Sequence, residues 1–343
     1  MKANYTEKER VTDGGYPFFL YFCAMNSFID FLRRWTLPVA MVAGVAAYFI
    51  FTALPWPDGT YRLAEEAVAF IQPTLLFFML FLSFCKIRLS DLKFKRWFWW
   101  LLLIQVSLFA LFATALYLMP EHPSKILIES AMLCFLCPTA AAAVVFTVKL
   151  GGSAASVTTY TLLINFVVAI LAPLVLPLVH PQEGVSFLPA FWTISNRIFP
   201  VLIMPLIAAL VLKKVWPKAH AACAASKDAA FYLWVCTLTL AIVVTTKSLV
   251  HDSSPVIYQV LIALISFIGC VSQFWVGRKI GVKYGEQVVG GQALGQKNNV
   301  FIIWLGYTFL SPITALSGGF FAIWQNVVNS YLLYKKERSE AKK

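Results

Sequence analysis

What most constrains this chain is the recurrence of apolar runs about twenty residues long, each the length of a helix that crosses a bilayer. They are separated by short segments rich in Pro, Gly and charge. The sequence is 60% hydrophobic and 13% charged, about half the charged share of an ordinary soluble domain. The reading that follows is an all-α polytopic membrane protein. Ten spans are predicted at 35–54, 66–85, 97–119, 124–149, 154–179, 190–212, 229–249, 255–276, 286–309 and 312–334. Residues 1–34 read as a cytoplasmic N-terminus with an interfacial helix, since the aromatic stretch before Trp35 holds Asn26, Asp30, Arg33 and Arg34. It lacks a small-residue cleavage site, so no removed signal peptide is expected.

The net charge of +12 follows topology rather than nucleic acid, and no nucleic-acid partner is expected. With the N-terminus inside, all of the 28 Lys and Arg fall in inner segments except Arg62, Lys125, Arg197, Lys247 and Lys297. The positive-inside rule therefore predicts a multi-pass cell-membrane protein (plasma or inner membrane) with both termini cytoplasmic. The seven cysteines are scattered, mostly through apolar runs, where Cys acts as a small hydrophobe. No metal site follows, and Cys134 and Cys137 have redox-motif spacing without the soluble context of a redox motif.

An odd number of spans per half makes the second half enter from the opposite side. Residues 35–179 and 190–334 thus read as two inverted five-helix repeats, followed by a cytoplasmic tail at 335–343. The fourth span of each half is broken, at Cys137-Pro138-Thr139 and at Gly295-Gln296-Lys297-Asn298. Helices 4 and 9 are expected to cross at these breaks. Backbone freed at bilayer depth is tolerated where it lines a cavity, and a central Lys costs about 3 kcal/mol even on lenient scales. The half-helix after Pro138 is expected to begin near Thr139, with Asn298 and Asn299 opening the other. Two helix N-termini and the Lys297 ammonium would form an anion-friendly point.

Candidate substrate- or ion-binding residues are Gln105, Thr139, Thr161, Asn165, Gln296, Lys297, Asn298, Asn299 and Asn326, all polar and at membrane depth. A lysine that gives up its proton on burial would carry protons, as would Glu129, the one carboxylate well inside a span. No nucleotide-binding loop, zinc motif or nucleophile triad is present, so an enzyme is not expected.

At these residues the chain resembles the bile acid:sodium symporter family. Met79-Leu80-Phe81-Leu82 with Leu89-Ser90-Asp91-Leu92 looks like the family's second-span exit, and Gln105 matches its third-span glutamine. Cys137-Pro138-Thr139 resembles its Cys-Pro-Gly-Gly crossover, Gly295-Gln296-Lys297-Asn298 its Gly-Met-Gln-Asn crossover, and Ser317-Gly318-Gly319 through Trp324-Gln325-Asn326 its tenth span. The resemblance covers 35–334. It implies a panel of spans 1, 2, 6 and 7, a core of spans 3–5 and 8–10, and symport of an organic anion by alternating access with sodium held at the crossovers. Here the Ser-Asn pair after the first crossover is Ala143-Val144, the glutamate before the second is Ala293, and the glutamine is Lys297. A site with an ammonium in place of oxygen ligands binds sodium poorly, because like charges repel. The expected function is therefore transport of a small organic anion with Lys297 replacing sodium, and no other cofactor. A sodium-coupled bile acid or carboxylate symporter and a non-transporting ligand sensor are the alternatives. Membrane lipid is the other expected partner, and nothing in the sequence speaks to oligomeric state.

Overall fold

The computed structural model describes residues 36–340, apart from 88, 89, 91, 182, 183, 227, 228, 252 and 253. The expected N-terminal segment and interfacial helix, residues 1–34, lie outside the described residues. The described chain is helical throughout, without a strand among those residues. It forms α1 (Thr36–Ala53), α2 (Thr60–Cys85), α3 (Phe98–Leu118), α4 (Lys125–Leu136), α5 (Ala142–Lys149), α6 (Ala154–Val179) and α7 (Phe187–Leu202). These continue into α8 (Met204–Val215), α9 (Pro217–Ala225), α10 (Ala229–His251), α11 (Val256–Val282), α12 (Gln287–Gly295), α13 (Asn299–Phe309) and α14 (Leu316–Glu340).

Helices form because each run is apolar and rich in Leu and Ala, and those helices run on through Pro73 in α2 and Pro173 and Pro177 in α6. Gly151 ends α5 with a φ of 85°, and the Ser153 side chain two residues on caps α6 by accepting from Ser156 N at 3.3 Å. Large apolar side chains such as Phe70, Leu103, Leu111, Ile257 and Trp275 lie exposed on the outside of α2, α3 and α11, the surface that a bilayer would cover.

Five helical segments are long and apolar enough to cross a membrane: α2, α3, α6, α11 and residues Tyr232–His251 of α10. A sixth arises if α7 and α8, bent by 46° at Ile203, count as one span. This is the make-up of a multi-pass membrane protein. The expected continuous span at 190–212 is thus corrected to two helices. Pro200 inside α7 and Pro205 at the start of α8 remove successive backbone donors around the bend. The last helix also begins later than the expected 312 and runs on to Glu340, so most of the expected tail continues that helix.

Two short pairs behave differently. α4 and α5 have 12 and 8 residues, and α12 and α13 have 9 and 11. At 1.5 Å per residue no half reaches the roughly 30 Å of a hydrocarbon core. α12 folds back on α11 through a turn at Gly285, whose φ is 68°. The two backbones then touch: a Cβ added to Gly277 would lie 2.1 Å from Gly290 O. Only glycine permits that approach, which is how helices pack where no water drives them together.

Neighbour relations place the breaks. α10 packs on α1 and α2, and α2 packs on α7, α8 and α9. α11 packs on α12, α14 and α4, while α3 lies on α4 and α6. α13 touches both sets, against α14 and α4 on one side and α10 and α2 on the other.

Candidate functional site

The two interrupted helices meet at their breaks. Pro138 cannot donate, so the helical bonds of α4 end with Cys137 N to Leu133 O at 3.2 Å, and residues 138–141 lie outside helices until Ala142. Gly295 ends α12, and residues 296–298 run extended before α13. The segments pair as an isolated antiparallel bridge between Thr139 and Lys297. Ala140 N donates to Gln296 O at 2.8 Å and Asn298 N donates to Pro138 O at 3.0 Å. Backbone groups freed by both breaks satisfy one another, which answers the cost of unwinding a helix away from water.

Side chains fix the crossing from every side. Gln105 Nε2 of α3 donates to Cys137 O at 3.0 Å, and Tyr160 of α6 donates its hydroxyl to Gln105 Oε1 at 3.2 Å. Cys137 Sγ donates to Asn298 O at 3.0 Å, and Thr139 Oγ1 to Ala293 O at 2.5 Å. From α14, Gln325 Oε1 accepts from Lys297 N at 3.0 Å. Asn329 Nδ2 donates to Gln296 Oε1 at 2.6 Å, and Gln292 Nε2 donates to Asn329 Oδ1 at 2.8 Å. All of these residues are buried.

Lys297 stands at the centre. It is 0% exposed, and its Nζ has no hydrogen-bond partner. The cysteines of the first broken pair, Cys134 and Cys137, are free thiols and likewise buried. Among the described residues no carboxylate forms an ion pair with Lys297.

The sequence expectations fare unevenly. Thr139, Gln296, Lys297 and Asn298 do meet at the crossing, and Gln105 is bonded to it. Thr139 does not start a helix, however: it lies in the extended pairing, and α5 begins three residues later at Ala142. The other N-terminus is already capped, because Asn298 Oδ1 accepts from Phe301 N at 3.3 Å. The anion-friendly point of two facing N-termini is therefore corrected: one end is displaced and the other is occupied by its own cap. Asn299 begins α13 with its Oδ1 buried and unpaired, and Asn165 on α6 is buried with its Nδ2 unpaired. Asn326 is not brought in, since its Nδ2 turns back to Ala322 O at 2.6 Å. Glu129 lies in the first half of α4, away from the crossing and buried, with His180 Nδ1 3.3 Å from its carboxylate.

A cavity of 260 Å³ opens beside the crossing, between the C-terminal part of α2, the start of α5 and the first half of α6. Ser83, Thr158 and Thr161 supply its hydroxyls, Lys86 its charge, and residues such as Phe84 and Val144 its apolar wall. Thr161 is the only candidate binding residue among its lining residues. Its Oγ1 donates to Val157 O at 2.9 Å, which leaves oxygen lone pairs for a ligand. Lys297 is not part of the lining.

Sequence reasoning missed Gln292 and Asn329 and did not choose Gln325. Part of the signal was present: Gln325 and Asn329 are four apart on α14 and share a helix face.

No family model matches this sequence, and comparison with curated proteins gives no match.

Proposed function

We propose that the chain is a secondary transporter that moves a small organic anion by alternating access. It is built as two inverted five-span repeats whose fourth and ninth spans are the broken pairs. The observation that carries this reading is the Lys297 ammonium, fully buried without a partner where two interrupted helices cross. An uncompensated charge at that depth is expensive to keep and marks a functional path by default. It does for the crossing what a bound sodium ion does in the family the motifs resemble: it supplies fixed positive charge beside the substrate.

The 260 Å³ cavity supports the same reading. It combines apolar walls, three hydroxyls and one lysine at its mouth, the lining suited to an amphipathic anion. Lys86 belongs to the segments assigned to the cytoplasmic side, so this state is inward-facing. On the opposite side Lys247 of α10 is hydrogen-bonded to Glu65 of α2, which ties those two helices together at that end.

A second reading, the sodium-coupled carboxylate symporter, draws on Asn299 Oδ1 and Gln292 Oε1. Both are buried oxygens without a donor, the kind of ligand a hard cation takes.

Uptake of labelled carboxylates and sulfonates into proteoliposomes, with sodium or with choline outside, separates the two. Uptake indifferent to sodium, and lost in Lys297→Ala, is the expected result. Strict dependence on sodium would transfer the assignment to the second reading. Saturable binding without flux would make the chain a ligand sensor instead.

A further inference from the structure

A second concavity lies apart from the one beside the crossing: a groove of 470 Å³ on the apolar outer surface between α3 and α6, lined by Trp99, Trp100, Leu102, Leu103, Val106 and Val167. Its volume falls in the range of drug-sized ligand sites, about 300–1,000 Å³, and every lining side chain is apolar. Trp99 and Trp100 stand at one end, in the first turn of α3. From there Leu103 and Val106 carry the groove down the same helix face toward the membrane interior, about 10 Å at 1.5 Å per residue.

Positive charge is fixed at the Trp end. Trp99 N donates to Arg96 O at 3.3 Å, which places Arg96 one turn ahead of Trp99. Three neighbours hold that segment in position. Lys95 Nζ bonds Glu286 Oε1 at 2.7 Å, Ser156 donates to the same oxygen at 2.8 Å, and Trp97 stacks on Tyr284 with centroids 5.6 Å apart. Lys95 is thereby neutralised, whereas Lys93 and Arg96 are exposed and form no ion pair with a described carboxylate. Exposed basic side chains in the segment that leads into an apolar trough, with two indoles at its end, match one partner: the headgroup and one acyl chain of an anionic phospholipid.

We infer that the α3–α6 groove, with Lys93 and Arg96, is a binding site for an anionic phospholipid. The site is argued apart from the transport reading, since its lining shares no residue with the 260 Å³ cavity.

The test uses the full chain in phosphatidylcholine nanodiscs titrated with brominated phosphatidylglycerol or brominated phosphatidylcholine. The readout is the part of the tryptophan quenching that disappears in Trp99→Phe/Trp100→Phe. Brominated phosphatidylglycerol should saturate that component at a far lower mole fraction than brominated phosphatidylcholine. Lys93→Gln/Arg96→Gln should erode the preference by about 25-fold, from about 1 kcal/mol per charge. Both changes lie on exposed side chains, so the variant's melting temperature in pure phosphatidylcholine should match the parent's. Soluble glycerol phosphate should not relieve the quenching, because the groove needs the chain as well as the headgroup. Equal quenching by the two brominated lipids in the parent, an unchanged preference in the double variant, or relief by glycerol phosphate would overturn the inference.

Discussion

Replacing Lys297 by Met should make the protein more stable and inactive at once. The Lys297 side chain is fully buried and its Nζ has no hydrogen-bond partner. A buried polar group left unpaired costs about 1–3 kcal/mol, and more when charged. Methionine keeps an unbranched stem in the same space and removes only the group that wants water. The bonds that position 297 makes are backbone bonds: its N–H to Gln325 Oε1 at 3.0 Å and its bridge with Thr139. They survive the change, so no interaction offsets the gain. At about 2 °C per kcal/mol for a chain of this size, a gain of about 1–3 kcal/mol raises the melting temperature by roughly 2–6 °C. Heating the detergent-solubilised protein in steps and following intrinsic fluorescence measures this directly. Uptake into proteoliposomes should be lost in the same variant, a trade of activity for stability. A lower melting temperature would mean that the ammonium has a stabilising partner after all. Unchanged uptake would remove Lys297 from the mechanism.

Two further outcomes test the frame around it. Gly290→Ala would set a Cβ 2.2 Å from Gly277 O; because that neighbour is backbone and cannot turn aside, α11 and α12 must separate. Thermal unfolding should show a loss of about 3 kcal/mol or failure to fold. Gln325→Ala leaves Lys297 N without its acceptor and should cost about 1–3 kcal/mol, whereas Gln325→Glu, which retains that acceptor, should lose less in the same melting assay.

Much of the architecture was legible because apolar runs and their breakers are local signals. The predicted 154–179 and the observed α6 coincide, and both interruptions lie where a proline or a glycine-amide string sits in an otherwise apolar run. The bend at Ile203 was also written in Pro200 and Pro205, but a window average of hydrophobicity smooths over it. The site was harder, because its partners come from distant segments. Asn326 and Gln325 are equally polar neighbours in sequence, yet Gln325 reaches Lys297 N while Asn326 turns back to its own helix at Ala322 O. Thr139 looked like a helix start after a proline. Tertiary pairing with Lys297 drew its backbone into an extended conformation instead, and no local propensity records that.

The lone bridge between Thr139 and Lys297, with its two flanking amide bonds, has a mechanical meaning. Each interrupted segment supplies the other's missing partner, so pulling one away would strand donors and acceptors in both. The crossing is a rivet rather than a hinge. On the proposed transport reading, the motion must move both broken pairs as one piece, and slippage falls where the cavity separates α2 from α5 and α6.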